Sequence, residues 1–139
     1  MQKRRAFFKS AAKLGAGGAM ASMAMAAAPG GRAKAPGGVR VGNLYFSSGL
    51  TGVRPGNDIK DQTRIILEAH KQNLEKMGSA LENVIKVTVF LADVRKEKPA
   101  MNEVYAQFFR KDAPSRSAFG VEFPDDATRV EIELVAWIP

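Results

Sequence analysis

Residues Pro114–Pro139 read PSRSAFGVEFPDDATRVEIELVAWIP, two alternating runs around the turn formers Pro124-Asp125-Asp126. Phe119, Val121 and Phe123 share one parity in the first run; Val130, Ile132, Leu134 and Ala136 share one in the second. Period-two alternation predicts two β-strands, each with one apolar face. Arg116 and Glu131 fall out of phase with those sets, so the pattern predicts a closing hairpin with both charges on its other face. With the turn centred between Asp125 and Asp126, Glu131 would face Gly120, Glu133 would face Ala118, and Arg116 would face Val135. The two charges are then not cross-strand neighbours, and a simple ion pair within the hairpin is not expected. A guanidinium and a carboxylate on rigid strands can instead hold a small anion and manage a proton. For both to reach one site, the chain must curl near Ser115 or a neighbouring subunit must supply one of them.

Working back along the chain, Pro99–Phe109 places Met101, Val104, Tyr105, Phe108 and Phe109 at core-facing helical spacings. Arg95-Lys96-Glu97-Lys98 before it reads as a solvated loop. Val84–Val94 (VIKVTVFLADV) is rich in β-branched residues and predicts a central strand. A longer helix is expected from an N-cap at Asp61 to Gly78, with Thr63, Ile66, Leu67, His70, Leu74 and Met77 on one stripe. His70 lies on that stripe, which favours a packed histidine over a catalytic one. Val39-Arg40-Val41 and Leu44-Tyr45-Phe46-Ser47 flank Gly42-Asn43, a hairpin signature, and the second strand runs into Ser48-Gly49. The order β-β-α-β-α-β-β implies an α+β domain, a mixed sheet with two helices packed on one face. Lys86, Thr88, Phe90, Ala92, Val135 and Trp137 would line the opposite face. That face is apolar enough to expect cover from another copy of the chain.

Composition narrows the chemistry. The 139 residues contain no cysteine and one histidine, so disulfides, thiolate catalysis, histidine metal sites and a Ser-His-Asp triad have no residues to use. Neither a metal nor a cofactor is expected. The formal charge is +7, but Lys3, Arg4, Arg5, Lys9 and Lys13 precede any acidic residue; without them 16 basic residues face 14 acidic ones, a net of +2. Nucleic acid is therefore not an expected partner.

Those early charges belong to a second signature. MQKRRAFFK carries Arg4-Arg5, followed by a Gly/Ala/Met stretch to Ala28 that ends in small residues. This is the layout of a twin-arginine (Tat) signal peptide over residues 1–28, implying the Tat export machinery as a partner and a periplasmic or secreted destination. The alternative is an amphipathic or disordered basic tail. Glycines 15, 17 and 18 break the apolar part, so a stable membrane span is not expected. Residues 29–38 (PGGRAKAPGG) read as a flexible Gly/Pro linker, leaving 39–139 as one domain.

Several of these features recur together in a known family. The strand ending in Ser48-Gly49, Gln62, Gly78, the run Val84–Asp93, Asn102, Tyr105, Phe108-Phe109, Pro114-Ser115-Arg116-Ser117 and Val130-Glu131-Ile132-Glu133 stand in its order. Over residues 39–139 the chain resembles the RidA (YjgF-type) family of reactive-intermediate deaminases. The resemblance implies a chorismate-mutase-like fold, a homotrimer, and a site for a small carboxylate-bearing substrate at each subunit interface. It gives Arg116 the substrate carboxylate, Glu131 a water or a proton relay, and Ser48, Gly49 and the backbone at Ala118 the pocket lining. The implied reaction hydrolyses small enamines or imines to 2-oxo acids and ammonia. A non-catalytic carboxylate binder or holdase-like trimer is the runner-up, and ribonuclease activity ranks third. Two departures stand out: Ala35-Pro36-Gly37-Gly38 replaces the family's usual Gly-Pro-Tyr segment, and Ala118 occupies a position often held by cysteine.

Overall fold

The computed structural model describes residues 30–139; the signal-peptide expectation for 1–28 lies outside them. Seven strands and two helices follow in the order β1 (Arg32–Ala35), β2 (Gly38–Val41), β3 (Leu44–Ser47), β4 (Leu50–Thr51), α1 (Ile59–Glu75), β5 (Val84–Leu91), α2 (Val94–Phe108), β6 (Ser115–Gly120) and β7 (Val130–Trp137). They form one mixed sheet in the order β1-β2-β3-β7-β5-β6, with β4 also paired to β7. Ile66, Leu67 and Leu74 of α1 and Met101, Val104 and Tyr105 of α2 are buried with Val87, Val89, Leu91, Ile132, Leu134 and Ala136 of the sheet. Both helices thus pack on one face, as the α+β reading expects.

The Val39–Ser47 hairpin forms as its Gly42-Asn43 turn predicts, with Val41 opposite Leu44 and Gly42 at φ +56°. Of residues 29–38, expected as a flexible linker, the described residues 30–38 form a strand and a turn instead. Arg32–Ala35 pairs with β2 in register Ala35↔Gly38, and Gly37 turns the chain at φ +64°. The Tyr45 hydroxyl donates to the Pro36 carbonyl at 2.7 Å, which ties that turn to the core. Gly/Pro content marked a tight turn here rather than a mobile segment.

Both helices begin before their expected starts, for the same reason. Asp58, not Asp61, is the N-cap of α1: its side chain accepts from the Asp61 amide while Asp61 returns the bond, a reciprocal capping box. Asp93 caps α2 by accepting from the Lys96 amide at 3.0 Å, so Arg95–Lys98 is helix and not a solvated loop. Pro99 sits inside that helix rather than at its start. Glu97 is buried and paired with Arg129 across the domain.

The closing hairpin does not exist. β5 lies between β6 and β7, pairing parallel with the first and antiparallel with the second. The path β5–α2–β6 is a crossover that lays β6 parallel to β5. Residues 121–129 then pass over the end of β5, where Val121 donates to Leu91 and Ala92 donates to Arg129. Asp125 shapes this loop by accepting from the amides of Ala127 and Thr128 and from the Thr128 hydroxyl. Those bonds hold the exposed Asp125 carboxyl below the usual carboxylate range. Gln62 anchors the loop to α1, donating to Ala127 O and accepting from Arg129 N.

Candidate active site

Register decides where each expected site residue stands. Arg116 lies opposite Val87, and Val87 opposite Leu134, all on the helix face; Glu131 lies opposite Phe90, on the other. Arg116 and Glu131 therefore occupy opposite faces of the sheet, correcting the expectation that they share one. Alternation shows which residues travel together, not which face is the core. On β6 the apolar parity of Phe119 points to the open face, where Phe119 is 52% exposed and stacks against Phe90 with ring centroids 6.5 Å apart. Because that open face is itself apolar, the out-of-phase arginine falls on the helix side.

The surroundings of Arg116 come from α2. Asn102, Tyr105 and Phe109 succeed one another at i, i+3 and i+7, one flank of a helix. Arg116 Nη1 donates to Asn102 Oδ1 at 2.8 Å, and the guanidinium carbon sits 4.5 Å above the centre of the Tyr105 ring. Tyr105 in turn packs on Phe109, centroids 4.6 Å apart. Burial pushes the Tyr105 phenol up to about 12, against the opposing pull of Arg116, so the ring stays neutral. No carboxylate among the described residues pairs with Arg116. The result is a half-buried, oriented cation whose charge is not neutralised, on the strand that closes one end of the sheet. Ala118, two residues on, shares its face and packs against the core.

Glu131 belongs to a second cluster. Phe46 pairs with Val135, and Leu50 pairs with Ile132, so the three residues Ser47–Gly49 between β3 and β4 oppose only two of β7, Glu133 and Leu134. The extra residue makes Ser48-Gly49 a β-bulge, a device that re-aims a strand beside a functional surface. The Ser47 hydroxyl accepts from the Leu134 amide at 2.8 Å and so compensates the interrupted ladder. Ser48 N donates to Gly37 O at 2.8 Å, bringing the β1–β2 turn against the bulge. A Cβ on Gly49 would overlap the Glu131 carboxylate, so the glycine makes room for that acid. Structure thus joins Ser48, Gly49 and Glu131, and separately joins Arg116 and Ala118. The sequence offered Asn102 only as an element of a resemblance, and Tyr105 as that and as a core-facing helix residue; their i, i+3 spacing was the signal that could have placed them beside Arg116.

His70 is fully buried and bonds Ile132 O through Nε2 at 2.9 Å, while Nδ1 has no partner among the described residues. Burial lowers its pKa, the carbonyl bond working the other way, so it is a neutral structural donor. No group of three or more histidine, cysteine or acidic residues is placed to hold a metal ion among the described residues. No helix among them is long and apolar enough to cross a membrane.

Known proteins match most of the described chain. The family model described as Endoribonuclease L-PSP matches residues 25–138. A RutC family protein of Pyrococcus horikoshii is 40% identical over 105 residues, 71% of this chain and 82% of that protein. The human 2-iminobutanoate/2-iminopropanoate deaminase is 36% identical over 118 residues, 75% of this chain and 85% of its own length. Among solved structures, a Mycobacterium tuberculosis member of the YjgF/YER057c/UK114 family superposes with a TM-score of 0.67 at 32% identity, covering 73% of this chain and 85% of that one. Fold, order of elements and sequence agree: this chain belongs to the RidA/YjgF family, the group that the Endoribonuclease L-PSP model describes.

Proposed function

We propose that this protein hydrolyses small carboxylate-bearing imines and enamines to 2-oxo acids and ammonia, at sites shared between neighbouring subunits. The observation that carries this reading is the un-neutralised Arg116, a guanidinium already oriented to grip a carboxylate through parallel N–H bonds. The similar human protein bears the name 2-iminobutanoate/2-iminopropanoate deaminase, which supplies the substrate class. In the reaction, Glu131 takes a proton from water as its oxygen bonds to the imine carbon and the C=N electron pair moves to nitrogen. That proton passes to the nitrogen to give a carbinolamine. The carbinolamine hydroxyl then gives up its proton, which reaches the amine by way of Glu131, and as C=O forms the C–N bond breaks, so ammonia leaves a 2-oxo acid. One carboxylate suffices, since the imine is already electrophilic.

Because Arg116 and Glu131 lie on opposite faces, one subunit cannot present both to a single small molecule. The open face offers the means of association. Val41, Leu44, Phe46, Phe119 and Trp137 stay between 37% and 52% exposed on it, an apolar patch suited to another copy. A trimer that covers these faces would set Arg116 of one subunit against Ser48, Gly49 and Glu131 of the next. Arg4-Arg5 and the small-residue stretch that follows support export by the Tat route, so the proposed place of action is the periplasm or outside the cell. Ribonuclease chemistry finds no support in His70, which is buried and committed to Ile132.

The test is ammonia release from enzymatically generated 2-iminopropanoate, wild type against Arg116→Ala. The wild type should exceed the buffer rate and the variant should not. Equal rates at background would remove the deaminase reading, and 2-oxo-acid binding without turnover would favour the non-catalytic binder.

A further inference from the structure

Arg116 is held on two sides by groups that carry no charge. Its Nη1 is given to the amide oxygen of Asn102, and its plane lies over the Tyr105 ring, which Phe109 supports from behind. A half-buried arginine more often meets a carboxylate, which satisfies the guanidinium but spends its charge. We propose that Asn102 and Tyr105 are positioning residues that fix the direction of the Arg116 guanidinium while leaving its positive charge and remaining N–H donors available to the substrate carboxylate.

Geometry and chemistry converge on this role. An amide oxygen accepts one N–H as a carboxylate would, yet adds no negative charge to compete with the incoming anion. The ring face attracts the cation through its quadrupole and restricts its tilt without consuming an N–H. Burial keeps the Tyr105 phenol protonated, so this layer also stays uncharged at any ordinary pH. Asn102 and Tyr105 lie along one flank of α2, with Phe109 as its C-cap, and α2 joins β5 to β6, so the element that sets the strand in place also sets its arginine. Arg116 makes no other side-chain hydrogen bond to the described residues, which leaves its other donors for a ligand.

The inference rests on Arg116 being the carboxylate anchor, and the experiment separates the two claims. Pyruvate binding to the full-length protein is measured by calorimetry, with KM and kcat for 2-iminopropanoate, in Arg116→Ala, Asn102→Asp, Asn102→Ala, Tyr105→Phe and Tyr105→Leu. Asn102→Asp places a carboxylate against the guanidinium and should weaken pyruvate binding about tenfold or more, close to the Arg116→Ala loss and beyond Asn102→Ala. Tyr105→Phe keeps the ring and should bind within about twofold of wild type, whereas Tyr105→Leu should raise KM severalfold with kcat nearly kept. Melting temperatures identify any variant that loses its fold, and the Phe/Leu pair at Tyr105 still decides the matter if Asn102→Asp does. Asn102→Asp, or Tyr105→Leu in its place, binding pyruvate as wild type does while Arg116→Ala fails would overturn the positioning role alone. Wild-type pyruvate binding by Arg116→Ala would instead remove the anchor on which it rests.

Discussion

Arg116 and Glu131 stand on opposite faces of one sheet, and β5 separates the strands that carry them. Two strand spacings amount to about 10 Å, and the offset of three residues along β5 adds about 10 Å in the other direction. Side chains do not cross a packed sheet, so within one chain the two groups open to opposite sides of the domain. A site that uses both needs two chains.

That geometry makes complementation the decisive test of a shared site. Arg116→Ala and Glu131→Gln should each be inactive alone. Co-refolded in equal amounts, they should recover about a quarter of the wild-type rate, because random assembly pairs an intact arginine with an intact glutamate at about one interface in four. A mixture no more active than its components would rule out the shared site.

Gly49 offers a test confined to the Glu131 side. Its backbone does not adopt a left-handed conformation, so alanine costs little there, but the added methyl group would occupy the place of the Glu131 carboxylate. The flexible acid can yield while the strand stays put. Gly49→Ala should therefore shift stability by less than about 1 kcal/mol and lower kcat/KM by about 10²-fold through misplacement of the carboxylate. Wild-type turnover in Gly49→Ala would mean that Glu131 does not act from this position.

How much of this was legible in the sequence depends on which interaction fixed each element. Gly42-Asn43 dictates its turn locally, and the α1 stripe from Thr63 to Leu74 reports its own burial, so both were readable. Asp58 was passed over for Asp61 three residues on, and Asp93 because the charged run Arg95–Lys98 and Pro99 suggested a later helix start; only backbone geometry selects each cap. The false hairpin had a deeper cause: pairing is a choice between strands, and nothing local in Pro114–Pro139 reveals that the more apolar β5 inserts between its two halves. Parity on β6 misled for a related reason, since Phe119 contributes to an exposed apolar face rather than to the core. Sequence did carry the site's composition, in Arg116, Glu131 and the Ser48-Gly49 step, but not the face on which each would lie.

The open face predicts an assembly that the single tryptophan can report. Trp137 lies opposite Leu44 and is 46% exposed in the isolated chain. If a second copy covers this face, native fluorescence should be blue-shifted and largely protected from iodide, and Trp137→Glu should yield a smaller species by light scattering. A wild-type tryptophan that iodide quenches freely, in a protein of monomer mass, would contradict the cover. Association of this kind has the added effect of removing from water the apolar area that β6 and the first hairpin expose.

His70 predicts the response to acid. Its folded-state pKa is lowered by burial, so between that value and the unfolded value of about 6.5 the unfolded chain binds more protons than the folded one. Stability is therefore full above about pH 6.5 and declines as pH falls from there towards the folded-state value. Protonation puts a charge against the core of α1 and β7, where Nε2 already donates to Ile132 O and Nδ1 has no acceptor waiting among the described residues. His70→Gln retains an amide donor for that carbonyl but cannot titrate. It should cost about 1–3 kcal/mol at pH 7.5, since the fit around a buried polar group is disturbed, yet lose less than the wild type between pH 6.5 and 5. Thermal melts of both proteins across that range measure the difference directly. Parallel pH profiles would show that the acid sensitivity originates in the carboxylates and not in His70.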